Sequence, residues 1–257
     1  MSDYHNHQKK IALINDMTGF GRCSIAVALP VISMLRVQCC ALPTAIFSNH
    51  TGFESFYYQD YTDHMQPSIN EWKKLGLEFS GICTGFLGSA RQIAIVSDFI
   101  RDFKRPDNLV IIDPVMGDYG KPYPTYTKEM CDHMKDLVCY ADILTPNMTE
   151  ACILTDTPYE DKKWHLSEIE AMAAHPRLLS PASRRASTWP ISATKPASHP
   201  EYSEPTGLVH PAQVPATSLQ RSLLPMPLIA FLSTTRLKRH PTSSKSVSSA
   251  PLNLTFH

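Results

Sequence analysis

Short apolar runs alternate with amphipathic stretches along the first two thirds of the chain. KKIALIND (residues 9–16) and QCCALPTAIFS (38–48) read as buried parallel strands. Between them, RCSIAVALPVISMLR spaces Ile25, Ala28, Leu29, Ile32 and Leu35 as a helix does, with Pro30 as a point for a kink. SINEWKKLGL reads as an amphipathic helix ended by Gly76. FSGICTGFLG is a strand running into a glycine turn, and SARQIAIVSDFIRDFK is the helix after it. The order then repeats: strand NLVIID, a loop, helix TKEMCDHMKDLVCY, strand ADILTP and helix NMTEACILT. Strands alternating with helices predict an α/β fold, a parallel sheet covered by helices on both faces. No internal repeat is present.

The pattern stops near residue 175. SPASRRASTWPISATKPASHPEYSEP (180–205) is rich in Ser, Pro, Ala and Thr and reads as a disordered linker. Composition sharpens the break. The whole chain of 257 residues has 24 basic and 24 acidic side chains, yet after His175 there are nine Lys or Arg against only Glu201 and Glu204. Twelve of the 21 prolines fall there, with one of the ten glycines and no Asp. The expected organisation is a disordered N-terminus at 1–9, a partial α/β domain at 10–174 and a basic Pro/Ser-rich tail at 175–257. The tail's charges cluster only at RR and RLKRH, too sparse for a nucleic-acid arm, so no nucleic-acid partner is expected.

All seven cysteines precede the break, at 23, 39, 40, 83, 131, 139 and 152, with no zinc spacing among them. Reduced, mostly buried thiols in a cytoplasmic protein are expected. The start, MSDYHNHQKK, lacks a signal-like apolar core, and no apolar run approaches the ~18 residues of a membrane span.

In an open α/β sheet, ligands gather beyond the carboxyl ends of the strands. The polar residues fall there: Asn15 and Asp16 after strand one, Thr44 and the loop SNHTGF with His50 after strand two, TGFLGS with Phe86 after strand three. Asp113 and Asp118 follow strand four, and Thr145, Asn147 and Glu150 follow strand five. Each has a plainer reading. Asn147 and Glu150 have the spacing of a helix-capping pair, Asp113 precedes a proline, and His50 is a lone loop histidine. Five polar strand ends on one rim exceed what burial requires, and they point to a binding site.

FSNHTGF, TGFLGS, DPVMGD and ADILTPNMTE closely resemble pyridoxal kinases, the vitamin B6 branch of the ribokinase-like superfamily, over about residues 10–174. DPVMG alone also fits the related hydroxymethylpyrimidine kinases. The resemblance implies ATP-dependent phosphorylation of the 5′-hydroxymethyl group of pyridoxal, pyridoxine or pyridoxamine, with ATP and Mg²⁺ as cofactors and a homodimer as the family's assembly. It assigns Asn15 or Asp16, Thr44, His50 and Phe86 to the vitamer pocket. Asp113, Asp118, Thr145, Asn147 and Glu150 fall on the nucleotide side, with Asp113, Asp118 and Glu150 placing the metal directly or through water.

The family closes its site with a G-T-G-D turn at a helix N-terminus, whose amides hold the phosphoryl charge and whose Asp activates the hydroxyl. That motif is absent from the sequence, so no catalytic base is assigned and the chain is expected to be inactive, or a remnant that binds without transfer. Gln213 to Thr217 explain the gap. Written CAG-GTA-CCG-GCG-ACA and read one base out of register, they contain GGT-ACC-GGC-GAC, or Gly-Thr-Gly-Asp. Continuing through Ala230, the same offset permits GTGDILATVIAADALNR, the missing turn and its helix. The tail is therefore expected to be a frameshift product.

Overall fold

The structure is a computed structural model that describes residues 6–176 and 178. Its centre is a six-stranded sheet in the order β3-β2-β1-β4-β5-β8. Strands β1 (Lys10–Phe20), β2 (Gln38–Asn49), β4 (Gly81–Thr84), β5 (Leu109–Ile112) and β8 (Ile143–Leu144) run parallel. β3 (Tyr58–Asp60) runs antiparallel at one edge. A second ladder is the two-residue hairpin of β6 (Gly117–Asp118) and β7 (Lys121–Pro122).

The apolar runs become strands because both faces of the sheet are buried. On β1, Ala12 and Ile14 enter one core and Ile11 and Leu13 the other, all at 1% exposure or less. The larger core lies beneath α2 (Thr62–Lys74), α3 (Ala90–Phe103) and α4 (Lys128–Leu137). It includes a tight aromatic group in which Phe99 and Phe103 stand 4.5 Å apart, with Phe79 and Trp72 packed around them. The smaller core is roofed by α1 (Ser24–Met34), which buries Ile25, Ala28 and Ile32 and leaves Leu29 and Met34 in solvent.

The ends of the helices follow the residues expected of them. Ser89 caps α3 by accepting from the Gln92 amide, and Thr127 caps α4 by accepting from the Met130 amide. Gly76 ends α2 with a φ of +62°, and the bonds Gly76 N to Lys73 O and Leu77 N to Trp72 O close the turn. All seven cysteines are free, and burial pushes the Cys39 and Cys83 thiols up to about 12.

Several expectations need correction. Strand one does not close at Asp16 but continues to Phe20. The sheet is mixed, since β3 pairs antiparallel with β2. α2 begins at Thr62, six residues before the expected start, and carries Pro67 inside it. Pro67 is exposed, while Thr62, Met65 and Ile69 are buried at helical spacing, so the apolar face overrides the breaker. The β6–β7 hairpin and the helix α6 (Leu166–Ala173) emerge only from the structure's own hydrogen bonds, whereas α5 (Met148–Thr155) lies within the expected helix NMTEACILT. Asn6 donates to Gly76 O (2.9 Å) and accepts from the Glu78 amide (3.0 Å), tying it to the turn after α2. The tail expected at 175–257 lies, from residue 179 onward, outside the described residues.

Candidate active site

The residues expected on the vitamer side lie where β1, β2 and β4 end or bend. Between the pairs Asn15↔Pro43 and Met17↔Ile46 the register of β1 and β2 slips by one, setting Thr44 and Ala45 against Asp16 alone. Pro43, which has no amide hydrogen, is tolerated at this break in the ladder. Asn15 uses Oδ1 to accept from the amides of Asp16 and Phe86, both at 2.9 Å. Its side chain fills the space that a Cβ at residue 85 would need, so Gly85 is required for the close approach. Thr44 is fully buried, and its hydroxyl donates to the Phe86 carbonyl at 2.7 Å. Asn15 and Thr44 therefore hold the 85–88 loop from its two sides. Phe86 itself is half-buried, its ring 5.8 Å from that of Phe47.

Asp16 is buried and accepts from Thr18 Oγ1 (2.8 Å) and Ser24 Oγ (2.6 Å). Burial raises its carboxyl above the ordinary value of 3.8, against the opposing pull of those two hydroxyls and of the nearby His50 charge. His50 N donates to Phe20 O, and its Nδ1 accepts from the Gly52 amide at 2.9 Å, so the ring turns into its own loop.

Several of the residues expected on the nucleotide side are joined by a second network. Asn147 caps α5, its Oδ1 accepting from the Glu150 amide (2.9 Å), while Glu150 Oε2 accepts from the Asn147 amide (2.8 Å). The capping pair is thus complete, but it also reaches outward. Asn147 Nδ2 donates to Gly117 O (2.9 Å), and Glu150 Oε1, on a side chain with no exposed surface, accepts from the Met116 amide (3.1 Å). These bonds fasten the DPVMGD segment to α5 and fix Asp113 and Asp118 beside it. Asp118 Oδ1 accepts from the Tyr119 amide at 2.9 Å. The two networks meet across the sheet, where Asp113 N donates to Thr84 O and Thr145 N to Ile112 O.

Three buried hydroxyls at this rim, those of Thr84, Tyr126 and Thr145, have no hydrogen-bond partner among the described residues. Such groups are costly unless something polar meets them. They fit the placing of a phosphate-bearing ligand and its hard cation near Asp113. Among the described residues no three His, Cys, Asp or Glu side chains form a compact metal-binding group. Oxygen donors of the DPVMGD loop and the Thr145 hydroxyl fit Mg²⁺, which keeps several waters and takes few protein ligands.

Sequence reasoning missed Gln92. It is fully buried on the core face of α3, donating to Thr44 O and Thr62 Oγ1 and accepting from the Gly88 amide, each bond between 2.7 and 2.8 Å. Its signal was present in the sequence, a polar residue among the apolar positions of an amphipathic helix. Thr149 was also missed; its hydroxyl accepts from Gly120 N at 2.9 Å and so braces the hairpin bearing Asp118.

The family model for phosphomethylpyrimidine kinase matches residues 25–178. A protein of Bacteroides thetaiotaomicron assigned as a phosphomethylpyrimidine kinase, and crystallised with pyridoxal, is 47% identical with a TM-score of 0.62, over 64% of this chain and 57% of its own. Pyridoxal kinase from Lactobacillus plantarum is 26% identical with a TM-score of 0.60, over 65% of this chain and 60% of its own. Pyridoxal kinase of Sus scrofa is 30% identical over 149 residues, which are 55% of this chain and 44% of the pig protein. The chain spans about half the length of the curated relatives it matches. The family model spans more than half of the chain, and the sheet-and-helix fold is that of these ribokinase-like structures, so the chain is a member of the phosphomethylpyrimidine kinase family.

Proposed function

We propose that this protein descends from, and is built as, an ATP-dependent kinase for the 5′-hydroxymethyl group of a vitamin B6 vitamer. The observation that carries this reading is the pair of networks on one rim, Asn15–Thr44–Phe86 on one side and Asp113–Asn147–Glu150 on the other, joined through Thr84. The Bacteroides relative crystallised with pyridoxal supports a B6 vitamer as a ligand, for which the first side is the pocket we assign. There Asp16 and Asn15 face the ring, Thr44 fixes the loop bearing Phe86, and His50 closes the edge. On the other side Thr145 and Asn147 meet the nucleotide. Mg²⁺ would be held by Asp113 and Asp118, with Glu150 acting through its bonds to the DPVMGD segment, and would supply positive charge against the phosphates.

Phosphoryl transfer itself needs a base for the vitamer hydroxyl and amides for the moving charge. The sequence holds no G-T-G-D, and synonymous codons for residues 213–230 permit one in the shifted frame. We therefore assign the catalytic turn to the alternative frame, and expect the chain as translated to bind ligands without turning them over. Sequencing the gene across codons 165–180 tests the shift; an unbroken frame relative to relatives would refute it. Restoring the frame should produce pyridoxal kinase activity, while the chain as written should show warming or cooling with pyridoxal and MgATP in calorimetry but no product. Flat titrations with both ligands would sink the binding assignment.

A second reading, hydroxymethylpyrimidine as the acceptor, draws on the family model's description as a phosphomethylpyrimidine kinase, a related pyrimidine chemistry. Competition between pyridoxal and hydroxymethylpyrimidine on the frame-restored protein separates the two. A homodimer in the cytoplasm completes the proposal, with sedimentation of the frame-restored protein as its check; among the described residues no helix is long and apolar enough to cross a membrane.

A further inference from the structure

The β6–β7 hairpin is pinned on one side by α5, through Asn147 to Gly117 O and Thr149 to the Gly120 amide. Its opposite side meets a segment that the site does not otherwise use. Gly120 has a φ of +75°, and a Cβ built there would fall inside the ring of Tyr159. The half-buried ring therefore packs directly on the backbone of the turn that follows Asp118. Tyr159 is held in turn by the far end of its own loop. Trp164 lies 6.5 Å from it, Lys162 sits 4.7 Å over the Trp164 ring, and Lys162 Nζ bonds Glu168 Oε1 at 3.0 Å. Glu168 also accepts from the His165 amide at 2.9 Å, tying the loop to the start of α6. Thus residues 156–165 run from the end of α5 across the hairpin to α6 as one braced strap.

We propose that Tyr159 is a positioning residue for the metal-nucleotide site, clamping the β6–β7 turn so that Asp118 stays aimed at the cation. This rests on the reading of Asp118 as a metal residue under the proposed function. A two-residue hairpin is marginal on its own, so its geometry depends on what presses on it. The ring supplies area and stiffness at low entropic cost, and the phenol hydroxyl is not needed for the clamp.

The test uses the full-length chain and three variants: Tyr159→Ala, Tyr159→Phe and Asp118→Asn. Amide exchange is followed at Tyr119 to Lys121, and ADP affinity is measured by calorimetry with Mg²⁺ and again with a chelator. Tyr159→Ala should speed exchange of those amides by about tenfold or more, the mark of local opening. It should also shrink the gain in ADP affinity that Mg²⁺ brings, as Asp118→Asn does, while affinity for ADP without metal stays at the parent level. Tyr159→Phe should restore both. Unchanged exchange in Tyr159→Ala overturns the clamp, as does a full Mg²⁺ gain in Tyr159→Ala alongside its loss in Asp118→Asn. A full Mg²⁺ gain in Asp118→Asn removes Asp118 from the metal site instead, a failure of the underlying reading that the exchange data leave distinguishable. If Tyr159→Ala does not fold, Gly120→Ala carries the test, because the added methyl displaces the same ring; protected hairpin amides in that variant refute the clamp.

Discussion

Burial and hydroxyl donors pull on Asp16 in opposite directions, and burial is the larger effect. A carboxyl whose folded-state value lies above its unfolded one prefers its proton in the native protein. Its contribution to stability is therefore present below the unfolded value, and is lost as pH rises through the folded value. Replacing Asp16 by Asn keeps the shape and removes the buried charge. Asp16→Asn should melt above the parent at pH 7, and the difference should narrow as the pH falls toward the ordinary value of 3.8; a gap that widens on acidification would contradict this. Gln92 behaves differently, because each of its three bonds joins a separate element. Gln92→Leu strands the Gly88 amide and takes one donor each from the Thr44 carbonyl, which keeps the Tyr61 amide, and the Thr62 hydroxyl, which keeps Asp60, and should cost about 1–3 kcal/mol in urea unfolding. Single residues also show how far sequence reading reaches. Asn15, Asp16 and Thr44 were legible because polar groups at the ends of apolar runs need a reason. Their division of labour was not, since it depends on which backbone amide each side chain meets.

At the scale of elements, length and periodicity decided what could be foreseen. The long helices α1, α3 and α4 and the apolar strands β1, β2, β4 and β5 carry enough repeats to be read. The hairpin β6–β7 and the three-residue β3 carry too few, and are defined by the segments they pair with, whereas the two-residue β8 was legible within the run ADILTP. Helix α5 is eight residues long and shows how a short element earns its place. Its capping residue spends one end on the helix and the other on the DPVMGD segment, so Asn147→Ala loses more than a cap. A loss of about 1–2 kcal/mol is expected, at or above the usual cost of removing an N-cap. It should come with faster exchange at Glu150 N, and a stability equal to the parent would show the pair to be ornamental.

For the whole molecule, the two layers differ in depth. The core beneath α2, α3 and α4 holds the aromatic group and far more buried side chains than the one beneath α1. Truncating Phe99 to Ala should cost about 3–5 kcal/mol by equilibrium unfolding, because the ring is enclosed on all sides. Met34→Lys, at a position 85% exposed on α1, should change stability by less than about 0.5 kcal/mol. The parallel sheet and its functional rim were therefore visible from pattern and motif together. The antiparallel edge was hidden, because TyrGlnAsp has neither the length nor the alternation of a strand and pairs only where β2 offers Ala45 to Phe47.

The slipped register between β1 and β2 has a consequence for descent. Two residues of β2 stand opposite one of β1, so losing Thr44 would let the ladder close evenly and leave the sheet sound. The Phe86 carbonyl would then lose its hydroxyl anchor, and the loop beyond β4 would drift from its place. A lineage that shortened the strand here would keep a well-folded protein while forgetting its ligand, so the length of this one strand records whether selection for binding has persisted.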